Sequence, residues 1–328
     1  MRRSSRSQAE MGKVKAAIIG AAVVAAAGIA FAATQFRHDD TVLRVANQKG
    51  QVRAMMLASG ALEGAPYRVE WSEFAAAQPL LEAVGSGAAD LGLAADAPFI
   101  FAYLSGSPVK AIAVQAPARQ APEALAIIVK GDSPIRQPQD LIGRSVATTR
   151  GSIGHHLLLQ VLERAKIPAD KVRVTFLPPG DAKAAFDSGA IDAWATWTPY
   201  TNVAIKEGAR AALDARDYGL PLYIDIANDD AIEPKRALLA DFLAREAKAV
   251  AWTRANPDKF AAVLAKETGL PLDIARASFD RSNRISQPVD AAIVAHVRAI
   301  AGRYRHAGLI DVKRDVTDAF DISFADGK

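Results

Sequence analysis

The sequence contains no cysteine. That excludes disulfides, a lipidated N-terminal cysteine, thiol catalysis and cysteine-ligated metals. Aromatic residues are scarce, at 7% of a chain that is 50% hydrophobic, so Ala, Leu, Ile and Val must fill most of any core. Nor does the body of the chain carry an excess of either charge. The formal charge of +4 arises in residues 1–33, where Arg2, Arg3, Arg6, Lys13 and Lys15 stand against Glu10 alone. With 40 basic and 36 acidic residues in all, the remainder is balanced. No basic stretch interleaved with aromatics occurs there, which argues against a nucleic-acid partner. No nucleophile and base stand at a recognisable spacing, so an enzyme is not expected.

What is present begins with a segment built like a secretory signal. A basic start precedes the uncharged run Ala16 to Ala33, and Ala30-Phe31-Ala32 offers small residues for cleavage. Such a run also has the length of an uncleaved inner-membrane anchor. Cleavage is the preferred reading, because alanine-rich runs are weak spans. Either way the body is exported, and the expected location is the periplasm, with membrane contact only through that segment.

The 328 residues suffice for two medium α/β domains. Strand-like segments at Val42 to Ala46, Tyr67 to Trp71, Ala89 to Ala94, Val109 to Ala116 and Ala124 to Val129 alternate with helical ones. The pattern restarts at Ser145 to Thr149, with further strands at Val172 to Leu177 and Ile191 to Thr196. Strand, glycine loop and helix recur about a hundred residues apart, which predicts two similar lobes with parallel sheets and ligand sites where strand ends meet helix starts. After a strand at Tyr223 to Ile226 only helices are expected. The boundaries read as 1–33 for the signal or anchor, 41–120 with 224–328 for the first lobe, and 121–223 for the second, with hinge passages near 118–128 and 217–225.

Two loops carry the chemistry. In Gln48-Lys49-Gly50-Gln51 and Arg150-Gly151-Ser152-Ile153 a strand feeds a helix through a tight turn. A helix start has unpaired N–H groups and a partial positive charge, and glycine lets the backbone approach an anion. Turn formation and helix capping explain the same residues without a ligand. Asp192-Ala193-Trp194-Ala195-Thr196-Trp197-Thr198-Pro199-Tyr200 adds two tryptophans at a strand-to-helix junction, and Trp194 is the candidate wall for an alkyl or aryl tail. The adjacent His155 and His156 diverge by about 100° on a helix and do not readily grip one ion, so one inward histidine is expected and no metal. His38, His296 and His306 read as isolated and exposed. Asp90, Asp96 and Asp192 read as turn caps rather than an acid–base pair.

In order and spacing these segments, with Trp71-Ser72-Glu73-Phe74, Ala89-Asp90-Leu91-Gly92, Gly269-Leu270-Pro271 and Pro288-Val289, resemble the periplasmic aliphatic-sulfonate-binding proteins of ABC importers, in the wider sulfonate, taurine and nitrate family. The likeness spans about residues 42–312. It implies an α/β, two-lobed type II periplasmic-binding-protein fold: two mixed, mostly parallel sheets with flanking helices, a cleft between lobes and a helical C-terminal tail. The function implied is capture of a small organic anion, an alkanesulfonate first, and delivery to an ABC permease and its ATPase by a monomer without cofactor. Carried over by position, the ligand-binding residues are Gln48, Gly50, Gln51, Ala95, Asp96, Gly151, Ser152, Ile153, Trp194 and Thr198.

The chain departs from the family pattern at three places. Ile153 and Gly154 stand where sulfonate binders resemble a run of serines, Ala94 where they resemble Thr, and Thr198 where they resemble Asp. Fewer hydroxyls shift the work to backbone groups and to Arg53 and Arg119, the candidate anion contacts. Each charge-assisted bond contributes about 1.5–3 kcal/mol net, and a micromolar Kd needs about 8 kcal/mol. Taurine, sulfate esters, nitrate and a non-sulfur molecule are the alternative ligands. A desulfinase-type enzyme is the alternative from another class, disfavoured because its chemistry depends on a cysteine.

Overall fold

The computed structural model describes residues 41–118, 122–311 and 314–324. The 1–33 segment, the linker with His38, and Arg119 lie outside the described residues. Residues 43–65 and 69–328 form one compact unit. In the other, 1–42 with 66–68, the Arg68 N–H donates to the Thr41 carbonyl at 2.9 Å.

The elements run β1 (Val42–Gln48), α1 (Val52–Ser59), β2 (Arg68–Phe74), α2 (Ala77–Gly85), β3 (Leu91–Ala95), α3 (Asp96–Leu104) and β4 (Val109–Pro117). Next come β5 (Leu125–Lys130), β6 (Ser145–Thr148), α4 (Ile153–Arg164), β7 (Arg173–Phe176), α5 (Pro179–Asp187), β8 (Ala193–Trp197), α6 (Tyr200–Lys206) and β9 (Ala209–Asp214). The remainder is β10 (Tyr223–Asn228), α7 (Asp229–Ile232), α8 (Arg236–Ala255), α9 (Pro257–Thr268), α10 (Leu272–Ser282), β11 (Arg284–Gln287) and α11 (Ala291–His306). They build two sheets, β11-β4-β10-β3-β1-β2 and β7-β6-β8-β5-β9. The chain passes from the first sheet to the second between Pro117 and Leu125, and returns between Asp214 and Tyr223.

The centres of both sheets are strands without alternation. Every residue of β3 and of β8 is buried, because helices cover both faces. The helices are amphipathic: α2 buries Ala77, Leu80, Leu81 and Val84, a spacing that keeps one face inward. Parallel pairing holds where strand–helix–strand units predict it, at β1–β3, β6–β7 and β6–β8. It fails at the crossing strands: β10 is antiparallel to β3 and β4, and β5 to β8 and β9. A strand that enters a sheet from the other one has no helical crossover to set it parallel. The C-terminal part is not helical throughout either. β11, only four residues long, pairs antiparallel with β4 at the sheet edge. Helix α11 then packs Val297, Ile300, Ala301 and Tyr304 into one core with Phe99, Ile100 and Tyr103 of α3.

The hundred-residue repeat has a physical signature. Asp90, just before β3, accepts the Arg44 N–H of β1 at 2.8 Å; Asp192, just before β8, accepts the Ser145 N–H of β6 at 2.7 Å. Each carboxylate ties its strand to the parallel neighbour, as turn-capping aspartates do. Asp90 adds the Arg44 guanidinium and the buried Lys235 ammonium at 2.8 Å. Burial pushes its carboxyl up, but the Arg44 and Lys235 bonds outweigh that and hold it below the usual value.

Gly154, in the first turn of α4, lets that helix sit directly on β8. A Cβ there would fall inside contact distance of the Ala195 carbonyl oxygen. Gly154→Ala should therefore cost at least about 2 kcal/mol, since backbone rather than a flexible side chain must give way. A lowered urea midpoint with an unchanged slope is the expected result.

Candidate ligand site

Where the two sheets present strand ends to one another lies a cavity of about 110 Å³, several times what one water requires. Its wall takes Gln48, Lys49, Gly50 and Gln51 from the loop after β1, Ala95 from β3, Ser152 and Ile153 from the start of α4, and Trp197 and Thr198 from the end of β8. Gln48, Gly50, Gln51, Ala95, Ser152, Ile153 and Thr198 of the expected set are thus brought together.

The first loop is shaped by its own bonds. Lys49 N–H donates to the Phe74 carbonyl and Gln51 N–H to the Gln48 carbonyl, both at 3.0 Å. Gly50 has φ +82, and a Cβ on it would lie 2.7 Å from the Thr268 methyl carbon. Glycine is required there by both conformation and space. Gln51 sits at the N-cap of α1 without a side-chain cap bond, and its amide oxygen is buried without a partner. At the start of α4, Ser152 is 2% exposed and its Oγ accepts the His155 N–H at 3.1 Å. It is a cap and a wall residue at once.

Four of the expected residues stand away from the cavity wall. Gly151 does not face the cavity: its N–H donates to His155 Nδ1 at 3.1 Å, its carbonyl accepts Tyr304 Oη at 3.3 Å, and a Cβ would strike the Phe101 ring. Asp96 does not line it: one oxygen accepts the Leu222 N–H at 2.9 Å and meets His296 Nε2 at 2.6 Å, the other accepts the Ala97 N–H. Trp194 packs under the far face of β8 against Phe186 and Tyr200, with ring centroids at 6.2 and 5.7 Å. Trp197, three residues on and hence on the other face, is the tryptophan of the wall. Arg53 is half-exposed and paired with Glu73 and Glu267 at 3.2 and 3.3 Å.

Three of the histidines differ from expectation as well, while His306 is exposed as expected. His155 and His156 are both buried, 3% and 8% exposed. Burial, with Arg150 adding to it, pushes the His155 imidazole down to about 4. Burial likewise brings His156 to about 3. Both are neutral acceptors, His156 Nε2 receiving the Arg303 guanidinium at 2.9 Å. His296 is half-buried against Asp96, and that hydrogen bond, opposed by burial, raises its pKa above 6.5. Its charged form therefore stabilises the fold fully below about pH 6.5 and loses that contribution as pH rises through the raised value. In His296→Gln, which keeps a donor but cannot titrate, this fall in stability on raising the pH should disappear from the urea midpoints.

The residue missed from the sequence is Arg284, at the start of β11. It lines the cavity and is 5% exposed. Its guanidinium lies 4.9 Å from the centre of the Tyr223 ring and 3.6 Å from Met55 Sδ. Among the described residues no carboxylate comes within ion-pair distance of it. Beside it, Asn283 buries an unpartnered amide oxygen. A half-turn of that amide, or of Gln51, would offer an NH2 to the cavity. By register Arg284, Tyr223, Gln115 and Asp225 share one face of the sheet. Gln115 Nε2 donates to Asp225 at 2.9 Å and to Glu246 at 3.2 Å. Burial and the neighbouring Glu246 push Asp225 well above the usual carboxylate range, against the opposing charge of Arg284. Among the described lining residues the charged ones are Lys49 and Arg284, both cationic.

Two sheets joined by two crossings, with a cationic cavity between strand ends, define a type II periplasmic-binding-protein fold. Residues 69–260, more than half of the chain, match the NMT1/THI5-like family. The chain belongs to this family. It is 34% identical to an aliphatic sulfonates-binding protein of Escherichia coli (strain K12), over 84% of this chain and 86% of that one. Among solved structures it is similar to the periplasmic aliphatic sulphonate binding protein SsuA from Escherichia coli, at 32% identity and a TM-score of 0.76, covering 85% of this chain and 91% of that one. It is also similar to the alkanesulfonate-binding protein SsuA from Xanthomonas axonopodis pv. citri bound to MOPS, at 26% identity and a TM-score of 0.78, covering 86% and 98%. These similar proteins are binding proteins. Among the described residues no helix is long and apolar enough to cross a membrane.

Proposed function

We propose that the protein captures an organic sulfonate in the periplasm and delivers it to an ABC permease and its ATPase, acting as a monomer and without catalysis. The observation that carries this is Arg284. Taking a guanidinium out of water without a counter-charge costs several kcal/mol, which the Tyr223 ring offsets only by about 2 kcal/mol. A fold bears that cost where an anion completes the site. A sulfonate is ionised at any physiological pH and offers three acceptor oxygens, matched by Arg284, the Gln51 and Asn283 amides and the helix starts at Gln51 and Ser152. The names of the similar proteins support the same ligand class.

In this proposal residues 41–120 with 224–328 and residues 121–223 are two lobes that close on the ligand, with 117–125 and 214–223 as hinges. Tyr200 Oη donates to the Ala75 carbonyl at 3.2 Å and Gln78 Nε2 to the Arg150 carbonyl, so elements of the two sheets already touch beside the cavity. Ligand contacts to both sides would stabilise this arrangement over an open one. A thermal-shift screen of alkanesulfonates, aryl sulfonates, taurine, sulfate esters and nitrate tests the ligand class. Sulfonates at a hundredfold excess over Kd should add about 2.7 kcal/mol of stability. A shift by nitrate or a sulfate ester and by no sulfonate would reject it.

A further inference from the structure

Helix α11 meets helix α4 outside the cavity wall, and one arginine makes the contact. Arg303 Nη1 lies 2.9 Å from His156 Nε2, and its Nε donates to Glu163 Oε2 at 2.7 Å. His156 and Glu163 stand seven residues apart on α4, about two turns, so a single guanidinium reaches both. Tyr304, next to Arg303, sets its ring edge-on to His156 at 5.9 Å, and its Oη donates to the Gly151 carbonyl. His156 is 8% exposed, and Tyr304 is fully buried. A guanidinium only donates, so Nε2 must keep a lone pair and the imidazole must be neutral, with its proton on Nδ1. A second proton would set imidazolium against guanidinium at hydrogen-bond distance, out of water. The other ionisable groups nearby do not relieve this. Asp96 of α3 and His296 of α11 are satisfied by one another at 2.6 Å, and His155 gives its Nδ1 to the Gly151 N–H. Burial leads, and Arg303, His296 and His155 add to it against the pull of Asp96, which is why the imidazole stands at about 3.

In the two-lobe reading above, α4 belongs to 121–223 and α11 to 224–328, so this contact forms when the lobes shut. Resting on that reading, we propose that His156 is a pH-sensitive latch: shutting the lobes on an anion requires its neutral form, and acid opens them by protonating Nε2. When the lobes part, the imidazole leaves Arg303 and Tyr304 and regains water, so its pKa returns toward the ordinary 6.5. The open form therefore binds the proton better than the shut one. Closure is unaffected above about pH 7 and is opposed increasingly as pH falls through 6.5 toward 3. At pH 5 the proton favours the open form by about thirtyfold.

Calorimetric titration of the purified protein with butanesulfonate at pH 8 and at pH 5 tests this, since a sulfonate does not itself titrate in that range. Kd for the unsubstituted protein should rise about thirtyfold, with about one proton released per ligand bound at pH 5, counted from buffers of different ionisation enthalpy. His156→Gln keeps an acceptor for Arg303 without titrating. It should match the unsubstituted protein at pH 8 and change by less than about threefold at pH 5. His296→Gln, whose partner Asp96 lies on the same lobe, should keep the full response. A Kd and proton count indifferent to acid, or an equal response in His156→Gln, overturns the latch and leaves the capture reading standing; should that variant not fold, the proton count decides. Failure of butanesulfonate to bind at pH 8 counts against the capture reading instead. The latch is then judged by histidine NMR of the ligand-free protein: a His156 imidazole titrating near its ordinary value sustains it, and one neutral down to pH 5 overturns it.

Discussion

Arg284→Met should weaken sulfonate binding by about a hundredfold or more and leave the ligand-free protein as stable as before, or more so. Two charge-assisted bonds at about 1.5–3 kcal/mol each disappear with the guanidinium, and a hundredfold in Kd corresponds to about 2.7 kcal/mol. Methionine keeps the length and the apolar contact with Tyr223 and Met55. It also removes a buried charge that no described carboxylate meets at ion-pair distance, which is why the free protein should gain. Opposite signs for binding and stability separate a ligand-binding arginine from a structural one. Arg53→Gln is the comparison: Arg53 already spends its charge on Glu73 and Glu267 at the surface, so its loss should change Kd by less than about threefold. Titration calorimetry and urea midpoints read both quantities. Retention of binding in Arg284→Met with loss in Arg53→Gln would move the anion to the other side of the first loop.

How far the site could be seen in the sequence depends on what kind of information placed each residue. The loop at 48–51 and the cap at Ser152 were legible because strand-to-helix turns have local chemistry: glycine at positive φ, a hydroxyl before a helix. The same local signs misled at Gly151. Its φ of +71 is a turn requirement, but the side it turns toward Phe101 and Tyr304 is fixed by helices α3 and α11, far away in sequence. Trp194 and Trp197 differ by an odd number of strand positions, so only one can face the cavity, and which one depends on where α5 packs. Arg284 was hidden for a stronger reason. In Asn283-Arg284-Ile285-Ser286-Gln287 nothing distinguishes a buried arginine from an exposed one, and a strand of four residues at a sheet edge has too little pattern to register. Its burial is a property of Tyr223 and Met55, each more than fifty residues away.

The fold itself was more legible than the pairing. Apolar runs such as those of β3, β5 and β8 announce strands covered on both faces. They carry no direction, however, and the antiparallel insertion of β10 and β5 follows only from the chain crossing between sheets. That crossing is what brings Tyr223 beside Ala95 at the end of β3, and so builds the floor of the cavity.

Asp90→Asn should be among the most destabilising single changes in the first sheet, at about 3–5 kcal/mol. The carboxylate is 1% exposed and meets Lys235 Nζ at 2.8 Å, with Lys235 itself 7% exposed, while its backbone partner Arg44 N–H fixes the start of β1 against β3. Asparagine can still accept from that N–H, so the cost reports the loss of the carboxylate charge beside the buried ammonium. A second substitution, Lys235→Met, should therefore recover a large part of the loss, a coupling that a purely steric effect would not show. The same pair sets a pH response. Because the Asp90 carboxyl titrates below its ordinary 3.8 in the fold, its contribution is complete above that value and is lost as pH falls through the lowered one. Urea midpoints between neutral pH and pH 3 should fall more steeply for the unsubstituted protein than for Asp90→Asn. Since neither partner is open to solvent, added salt should leave the difference at neutral pH nearly unchanged.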